Sequence, residues 1–157
     1  MQTAVRIGVS AVIVPVRKLR KEAQLPRHGS EQAAGYDLYA CTGRGATVIP
    51  PHQARMVETG LCAAIPDGYF GGVFARSGIA SRMGLRPSNC VGVIDSDYRG
   101  EIMVSIRNDS EEEQVIRDGE RIAQLIILPY LAVSFEETDQ LDETERGNGG
   151  FGHTGMT

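Results

Sequence analysis

The chain is poor in the residues that build disulfide frameworks and zinc sites. It contains only three cysteines and three histidines among its 157 residues. Cys41, Cys62 and Cys90 lie far apart in the sequence, their number is odd, and none belongs to a CxxC pair. This pattern argues against a disulfide scaffold or a zinc site and indicates buried free thiols in a reducing compartment. The cytoplasm is therefore the expected location.

The chain also lacks a long hydrophobic run and an excess of positive charge. Its N-terminal apolar stretch, VSAVIVPV at residues 9–16, is too short to span a membrane, and the nearest cluster of cations follows it. We interpret this stretch as a strand and not as a signal peptide or membrane segment. The net charge of −4 argues against a general nucleic-acid or membrane-surface binder. An anionic ligand must then be held by individual arginines and backbone N–H groups.

What the chain does contain is a series of short strand-like runs. Its length fits one domain with a real core, and glycine or proline stands in nearly every gap between the runs. This punctuation predicts an all-β fold, namely a sandwich, a jelly roll or a barrel. The predicted strands cover residues 11–16, 36–40, 46–50, 54–65, 68–75, 89–94, 100–106, 113–116 and 123–133.

One stretch, RSGIASRMGL at residues 76–85, breaks the rhythm of the strands. Ser77 is a suitable N-cap and Gly84 a suitable C-terminal stop, so the stretch predicts a single short helix. The free N–H groups at the start of such a helix, next to Arg76, would attract an anion. From these residues alone, an ordinary polar loop is an equally good interpretation.

The segment DSDYRG separates two apolar runs and predicts a β-hairpin or a tight bend. Asp95 follows VGVI directly, which would allow its carboxylate to lie at the floor of a pocket. Asp and Ser are also ordinary turn residues, so the segment alone favours a plain turn.

The C-terminus combines an acidic stretch with a glycine-rich tail. Residues 136–145, EETDQLDETE, should form a solvated linker between the packed body and the tail. Residues 146–155, RGNGGFGHTG, place Arg146 and Phe151 on a backbone that loses much conformational freedom on ordering. We expect these two side chains to anchor the tail on a ligand with an anionic part and a flat part.

Five segments, in this order, resemble the trimeric dUTP nucleotidohydrolases, or dUTPases. They are AGYDLYA (34–40), ARSGIA (75–80), GVIDSDYRGEI (92–102), GERIAQLI (119–126) and RGNGGFGHTG (146–155). The resemblance implies a jelly-roll-like homotrimer with active sites between subunits. It also implies Mg²⁺-assisted hydrolysis of dUTP to dUMP and pyrophosphate. The domains would then be a β domain at 1–135, the linker at 136–145 and a closing arm at 146–157.

The resemblance also implies a role for individual residues. Asp95 would activate the attacking water, and Tyr98 would pack under the deoxyribose. The uracil would be read by Asn89, Gly92 and Val93. The remaining implied contacts involve the phosphates (Arg76, Ser77, Gly78, Gln124), the support of the phosphate region (Asp37) and the arm (Arg146, Phe151, Gly152). The metal would be held through the substrate phosphates and by no direct protein ligand.

Two alternatives accompany this interpretation. The dCTP deaminases share the fold and the arginine–serine phosphate motif, but they use a glutamate where this chain has Ser105. A regulator that senses dUTP without hydrolysing it would have no need of Asp95. The chain departs from the commonest family pattern at Ala75, where proline is frequent, and at His153, where serine is frequent.

Overall fold

The computed structural model describes residues 11–150. Within that range the chain forms twelve short strands and one short helix, which confirms the prediction of an all-β domain with one helix. The elements are β1 (Val16–Lys18), β2 (Arg27–His28), β3 (Tyr36–Tyr39), β4 (Ala46–Ile49), β5 (Ala54–Glu58), β6 (Leu61–Ala63), β7 (Tyr69–Phe74), α1 (Ser77–Met83), β8 (Leu85–Pro87), β9 (Gly92–Ile94), β10 (Met103–Asn108), β11 (Gln114–Arg117) and β12 (Arg121–Pro129).

The strands form antiparallel sheets in a jelly-roll-like arrangement, as the resemblance implied. The largest sheet has the order β2-β3-β12-β7-β9, and β5-β10-β8 forms a second one. Two further pairs, β1-β6 and β11-β4, complete the described part of the fold. Residues along β10 alternate between core and surface, so that Val104 and Ile106 are buried while Met103 is exposed. One face of the second sheet therefore packs on the core, and its other face is free to contribute to a site.

Several predicted strands have different limits in the structure. The run at 11–16 becomes a strand only from Val16, directly after Pro15, which has no N–H to donate to a sheet. The run at 54–65 is divided into β5 and β6 by Gly60, whose φ of 70° turns the chain. The run at 123–133 ends early, since β12 stops at Pro129. The strands β2 and β8 were not predicted.

The helix forms where it was predicted, but Ser77 is not its N-cap. Arg76 holds that position with an extended backbone, and no side chain caps the helix. Ser77 is instead the first helical residue, so the preference of serine for N-caps is overridden at this strand-to-helix junction. Gly84 ends the helix as predicted, in the left-handed conformation with φ of 66°.

The segment DSDYRG is a tight bend and not a hairpin turn, because the apolar runs on its two sides do not pair. β9 joins β7, whereas β10 joins β5 and β8. A Cβ on Gly71 of β7 would lie 3.3 Å from the Cβ of Ile94, so glycine in β7 allows β9 to approach closely. The bend itself is closed by a 3.2 Å hydrogen bond from the Tyr98 N–H to the Asp95 carbonyl.

The thiols follow the sequence expectation in part. Cys41 and Cys62 are buried, but Cys90 is exposed and has a φ of 64° in the turn between β8 and β9. The prediction of a buried thiol is therefore wrong for Cys90, because it lies in a turn and not in a strand. Among residues 11–150, no helix is long and apolar enough to cross a membrane.

Candidate active site

The bend after β9 brings Asp95 and Tyr98 to a single cavity of about 230 Å³. Asp95 is exposed and lines this cavity from the bend that the segment DSDYRG forms. It also borders a neighbouring cavity of about 530 Å³ that Phe70 and Val93 help to line. An exposed carboxylate between two cavities can reach both a bound ligand and a water molecule. The other residues lining the smaller cavity are Met56, Val93, Ile94, Glu101, Ile102 and Met103.

Tyr98 presents a flat ring next to this carboxylate. Its hydroxyl donates a 3.0 Å hydrogen bond to the Glu101 carbonyl, and the residue is 42 % exposed. The ring lies over Gly100, where a Cβ would overlap the Tyr98 hydroxyl. The missing side chain at Gly100 is therefore what allows the tyrosine to fold back across the bend.

Asn89 and Gly92 lie together near the start of β9. A Cβ on Gly92 would lie 3.6 Å from the Asn89 amide nitrogen and 3.2 Å from the Cβ of Val73. Gly92 therefore lets two neighbouring groups approach the backbone closely. Asn89 is exposed in the turn before β9, and Val93 is 62 % exposed on the strand itself. An amide and open backbone groups at one spot can pair with the polar edge of a base.

A second cluster forms around Asp37 on β3. The Asp37 carboxylate accepts a 2.7 Å hydrogen bond from Arg76 Nε and a 3.3 Å hydrogen bond from Arg121 Nη1. Asp37 is buried, whereas the side chain of Arg121 is half exposed. One carboxylate thus fixes two guanidinium groups that can bind phosphate oxygens. Sequence reasoning missed Arg121; the available signal was a cation immediately before a buried apolar run within GERIAQLI.

Gln124 belongs to the same cluster. Its amide nitrogen donates a 2.8 Å hydrogen bond to the Ala75 carbonyl, directly before Arg76. Its amide oxygen lies over Gly35, where a Cβ would overlap it. Beside it, Ser77 and Gly78 open α1, whose first turn contains no acidic residue. This part of the chain therefore offers two arginines, an amide and free helix N–H groups to an anion.

The two clusters lie at opposite ends of the β7–β9 ladder. Ile94 pairs with Gly71, so Asp95 emerges opposite Phe70, whereas Arg76 lies beyond the other end of β7. Phe70 and Arg76 are six positions apart in extended chain, which corresponds to about 20 Å. Residues that the sequence predicts to form one site are therefore divided into two halves within the chain.

Within residues 11–150, Arg146 forms no hydrogen bond with the Asp95–Tyr98 cluster or with the cluster around Asp37. The Arg146 guanidinium donates a 2.8 Å hydrogen bond to the Gly149 carbonyl of the tail itself. Residues 131–145 are exposed and form no helix or strand. Phe151 and Gly152, which are predicted to contact the ligand, lie outside the described residues.

The donors in residues 11–150 suit a metal that is held mainly by a ligand. No group of three or more His, Cys, Asp or Glu side chains comes together in this range. The buried Asp37 carboxylate is occupied by Arg76 and Arg121. Mg²⁺ keeps several waters and often binds through substrate phosphates, and such binding fits this donor set.

An aromatic ring beside an exposed carboxylate offers contacts to a nucleoside, and a paired-arginine cluster beside a helix N-terminus offers contacts to phosphate. The family model described as dUTPase matches residues 21–155. The chain therefore belongs to the dUTPase family, which is metal-dependent.

Similar proteins span the chain almost completely. It is 45 % identical over 148 residues to the deoxyuridine 5'-triphosphate nucleotidohydrolase of Syntrophotalea carbinolica, covering 94 % of this chain and 100 % of that protein. It is 48 % identical over 151 residues to the same-named protein of Desulfitobacterium hafniense, covering 96 % and 99 %. Among solved structures, a mutant dUTPase of Staphylococcus bacteriophage 80alpha with bound dUpNHpp superposes with a TM-score of 0.83. It is 27 % identical and covers 91 % of this chain and 98 % of that one.

Proposed function

We propose that Asp95 is the general base with which this chain hydrolyses dUTP to dUMP and pyrophosphate. Hydrolysis of dUTP is the activity of the family to which the chain belongs. The observation that carries the assignment is the exposed Asp95 carboxylate at the wall of the cavity that it shares with Tyr98. The curated relatives described above are named nucleotidohydrolases, which favours neither a deaminase nor a non-hydrolysing sensor.

The reaction follows from the position of this carboxylate. Asp95 takes a proton from a water molecule, and the water oxygen attacks the α-phosphorus of dUTP. The bond between the α-phosphorus and the oxygen that bridges to the β-phosphorus then breaks. Pyrophosphate leaves with the electron pair of that bond, and dUMP retains the new oxygen. Because the water oxygen itself attacks the phosphorus, no covalent enzyme intermediate is required.

The residues assigned to base and sugar flank β9, with Asn89 and Gly92 at its start and Tyr98 in the bend after it. Asn89 and the backbone at Gly92 and Val93 pair with the uracil edge, and this assignment is supported by the closeness of the Asn89 amide to Gly92. Cytosine exchanges an acceptor for a donor at this edge, so its entry would leave polar groups unpaired. Tyr98 packs under the deoxyribose and leaves no room for a 2′-hydroxyl.

The triphosphate binds to the cluster around Asp37. Arg76 and Arg121 contact the phosphates directly and are held by the carboxylate between them. The helix N–H groups at Ser77 and Gly78 and the amide of Gln124 add neutral donors. We assign Mg²⁺ as the metal, held through the substrate phosphates, where it supplies neutralisation of their negative charge.

The separation of the two clusters supports a homotrimer with active sites between subunits. Asp95 and Arg76 lie beyond opposite ends of β7, and about 20 Å of extended chain separates Phe70 from Arg76, so we infer that one chain does not bring both side chains to the same α-phosphorus. A second copy must therefore supply one of the halves. The extended segment after β12 offers a surface for such contact, since Leu131, Val133 and Phe135 alternate along it and are 87 %, 68 % and 96 % exposed.

The proposed domain organisation follows from this assembly. Residues 1–135 form the β domain, 136–145 the acidic linker and 146–157 the arm. The arm closes the site, with Arg146 on the distal phosphates and Phe151 and Gly152 over the uracil. The enzyme acts in the cytoplasm, where it limits uracil incorporation into DNA and supplies dUMP for thymidylate synthesis.

A pyrophosphate-release assay with dUTP and dCTP tests this proposal. We expect rapid release from dUTP and little from dCTP. In Asp95→Asn, turnover of dUTP should fall by roughly 10²–10⁴-fold while binding is retained, which is the usual contribution of a general base. Asp97→Asn is a matched control two residues away, in the same bend. Near-normal turnover in a folded Asp95→Asn variant would remove Asp95 from its role.

A further inference from the structure

An ion pair ties the chain before β2 to the bend that carries Tyr98. Two nitrogens of the Arg20 guanidinium donate to the two Glu101 carboxylate oxygens, at 2.5 and 3.3 Å. The N–H of Gly60 donates a further 2.8 Å hydrogen bond to the same carboxylate. The side chains of Arg20 and Glu101 are 29 % and 17 % exposed, so this pair is partly screened from water. Its geometry is bidentate, which fixes direction as well as distance.

Glu101 connects this ion pair to the cavity in a second way. Its backbone carbonyl accepts the hydrogen bond from the Tyr98 hydroxyl, and the residue itself lines the cavity with Asp95 and Tyr98. Because Arg20 holds the Glu101 carboxylate, it also limits the movement of the Glu101 backbone carbonyl that binds the Tyr98 hydroxyl. The next residue is held too, because the Ile102 N–H donates a 2.7 Å hydrogen bond to the Leu61 carbonyl. Of these contacts, only the one to the Glu101 carboxylate depends on Arg20.

We propose that Arg20 is a positioning residue that, through Glu101, holds the Tyr98 ring in place and thereby sets discrimination between deoxyribose and ribose. This inference rests on the proposed role of Tyr98 at the sugar. Exclusion of a single hydroxyl requires a ring that cannot move away, and Tyr98 is partly exposed and therefore not held by packing on all sides. Loss of the Arg20–Glu101 pair leaves the ring supported by Gly100 and one hydrogen bond. The ring can then move away and admit UTP.

The chain offers a matched control in a second bidentate ion pair that does not line this cavity. Arg44 also donates to both oxygens of a single carboxylate, that of Glu58, at 3.0 and 2.7 Å. Neither residue lines the cavity that contains Asp95 and Tyr98. Arg44→Ala therefore removes a bidentate pair of the same chemistry while the Arg20–Glu101 pair and the hydrogen bond of the Tyr98 hydroxyl keep their partners.

The test is the ratio of kcat/KM for dUTP to kcat/KM for UTP, measured with Mg²⁺ in the full-length protein. We expect Arg20→Ala to lower this ratio by about tenfold or more, mainly through improved use of UTP. Arg20→Lys should restore much of the ratio, because an ammonium can still donate to Glu101. Arg44→Ala should leave it within about twofold of the wild type. If Arg20→Ala does not fold, Glu101→Gln replaces it, since glutamine keeps the size of the side chain and an oxygen for Gly60 but loses the charge.

Tyr98→Ala, measured in parallel, separates two kinds of failure. If Tyr98→Ala relaxes the ratio and Arg20→Ala does not, the inference about Arg20 is overturned while the role of Tyr98 is retained. If Tyr98→Ala itself leaves UTP rejection intact, the sugar assignment in the proposed function fails. An equal fall in kcat/KM for dUTP and for UTP in Arg20→Ala also contradicts the inference, because it indicates that Arg20 supports the fold in general and has no effect on selectivity.

Discussion

Gly35→Ala probes the phosphate-binding half of the site through a single methyl group. An added Cβ would overlap the Gln124 amide oxygen and lie 3.1 Å from its Cδ and 3.2 Å from its Cβ. Since the Gln124 Cβ is fixed to β12, the side chain must rotate away. Rotation breaks the 2.8 Å hydrogen bond to the Ala75 carbonyl. The amide also leaves the neighbourhood of Arg76, where we propose that it contacts phosphate.

The expected magnitude combines two effects. Loss of the hydrogen bond contributes about 0.5–1.5 kcal/mol, and overpacking of a well-filled site typically costs 1–3 kcal/mol. We therefore expect the free energy of unfolding to fall by about 2 kcal/mol in Gly35→Ala. Loss of one neutral phosphate contact should lower kcat/KM for dUTP by about tenfold. Urea denaturation at fixed protein concentration and steady-state kinetics measure the two effects.

Gly29→Ala is the matched control for this substitution. A Cβ at Gly29 would find only the Asp37 carboxylate oxygen, at an ordinary contact distance of 3.9 Å. We expect this variant to be neutral or slightly stabilised. Combining Gly35→Ala with Gln124→Ala removes the overlap with the amide and leaves only the 3.2 Å contact between the two Cβ atoms, so the double variant should lose much less stability relative to Gln124→Ala than Gly35→Ala loses relative to the wild type. The reasoning is refuted if Gly35→Ala behaves like Gly29→Ala, or if the two losses of stability simply add.

Three further predictions concern the sugar, the tail and the acid side of the stability curve. Tyr98→Ala should relax discrimination against UTP more than against dTTP in kcat/KM; a gain in dTTP use with UTP still rejected would contradict its assignment. Deletion of residues 146–157 should leave the assembly intact and its melting temperature nearly unchanged, while activity is largely lost. In the intact protein, dUTP with Mg²⁺ should protect the arm from proteolysis. Equal protection without nucleotide would identify the arm as a fixed structural element. Burial alone would raise the pKa of Asp118, but hydrogen bonds from Thr42, Gly43 and Gly45 outweigh it and lower the pKa below its usual range. Asp118 therefore stabilises the fold above its unfolded-state pKa of about 3.9, and this contribution is lost as the pH falls through the lower folded-state value. Asp118→Asn should cost about 1–3 kcal/mol near neutral pH, and the difference from the wild type should shrink below about pH 4; a difference that does not change with pH would contradict this role.

The all-β class and the short helix were predictable because their causes are local. Alternating apolar residues and glycine or proline in the gaps report on the strands without any knowledge of their partners. The C-terminal stop at Gly84 is equally local, since it depends on a left-handed backbone that glycine adopts freely. The N-cap was not predictable in this way, because the strand before α1 fixes the backbone of Arg76.

The pairing of strands was hidden for a different physical reason. β9 and β10 are neighbours in sequence, and a hairpin is the least costly way to join two such runs. The fold instead pairs β9 with β7, where Gly71 allows close approach, and this choice depends on contacts distant in sequence. The same long-range register separates Asp95 from Arg76. The order of the five motifs along the sequence does not indicate that Asp95 and Arg76 lie at opposite ends of β7.

The site residues also differ in whether their sequence motifs or only their long-range contacts reveal them. Asp37 and Arg76 stand in segments that resemble family motifs, but their ion pair joins residues 39 positions apart. Arg121 was overlooked because a cation at the start of a strand is ordinarily a solvated surface residue. Its shared carboxylate becomes visible only when β3 and β12 are paired. The folded register therefore identifies the second arginine.

The division of the site between subunits is tested most directly by mixing two inactive variants. Asp95→Asn and Arg76→Ala chains with different tags are co-expressed, and mixed assemblies that carry both tags are isolated. If Asp95 of one subunit completes the phosphate-binding half of another, each mixed trimer carries both wild-type residues at one of its three sites, so its activity should return to about one third of the wild type. Activity no higher than that of the two parent variants would mean that both residues act within one chain, and would contradict the account.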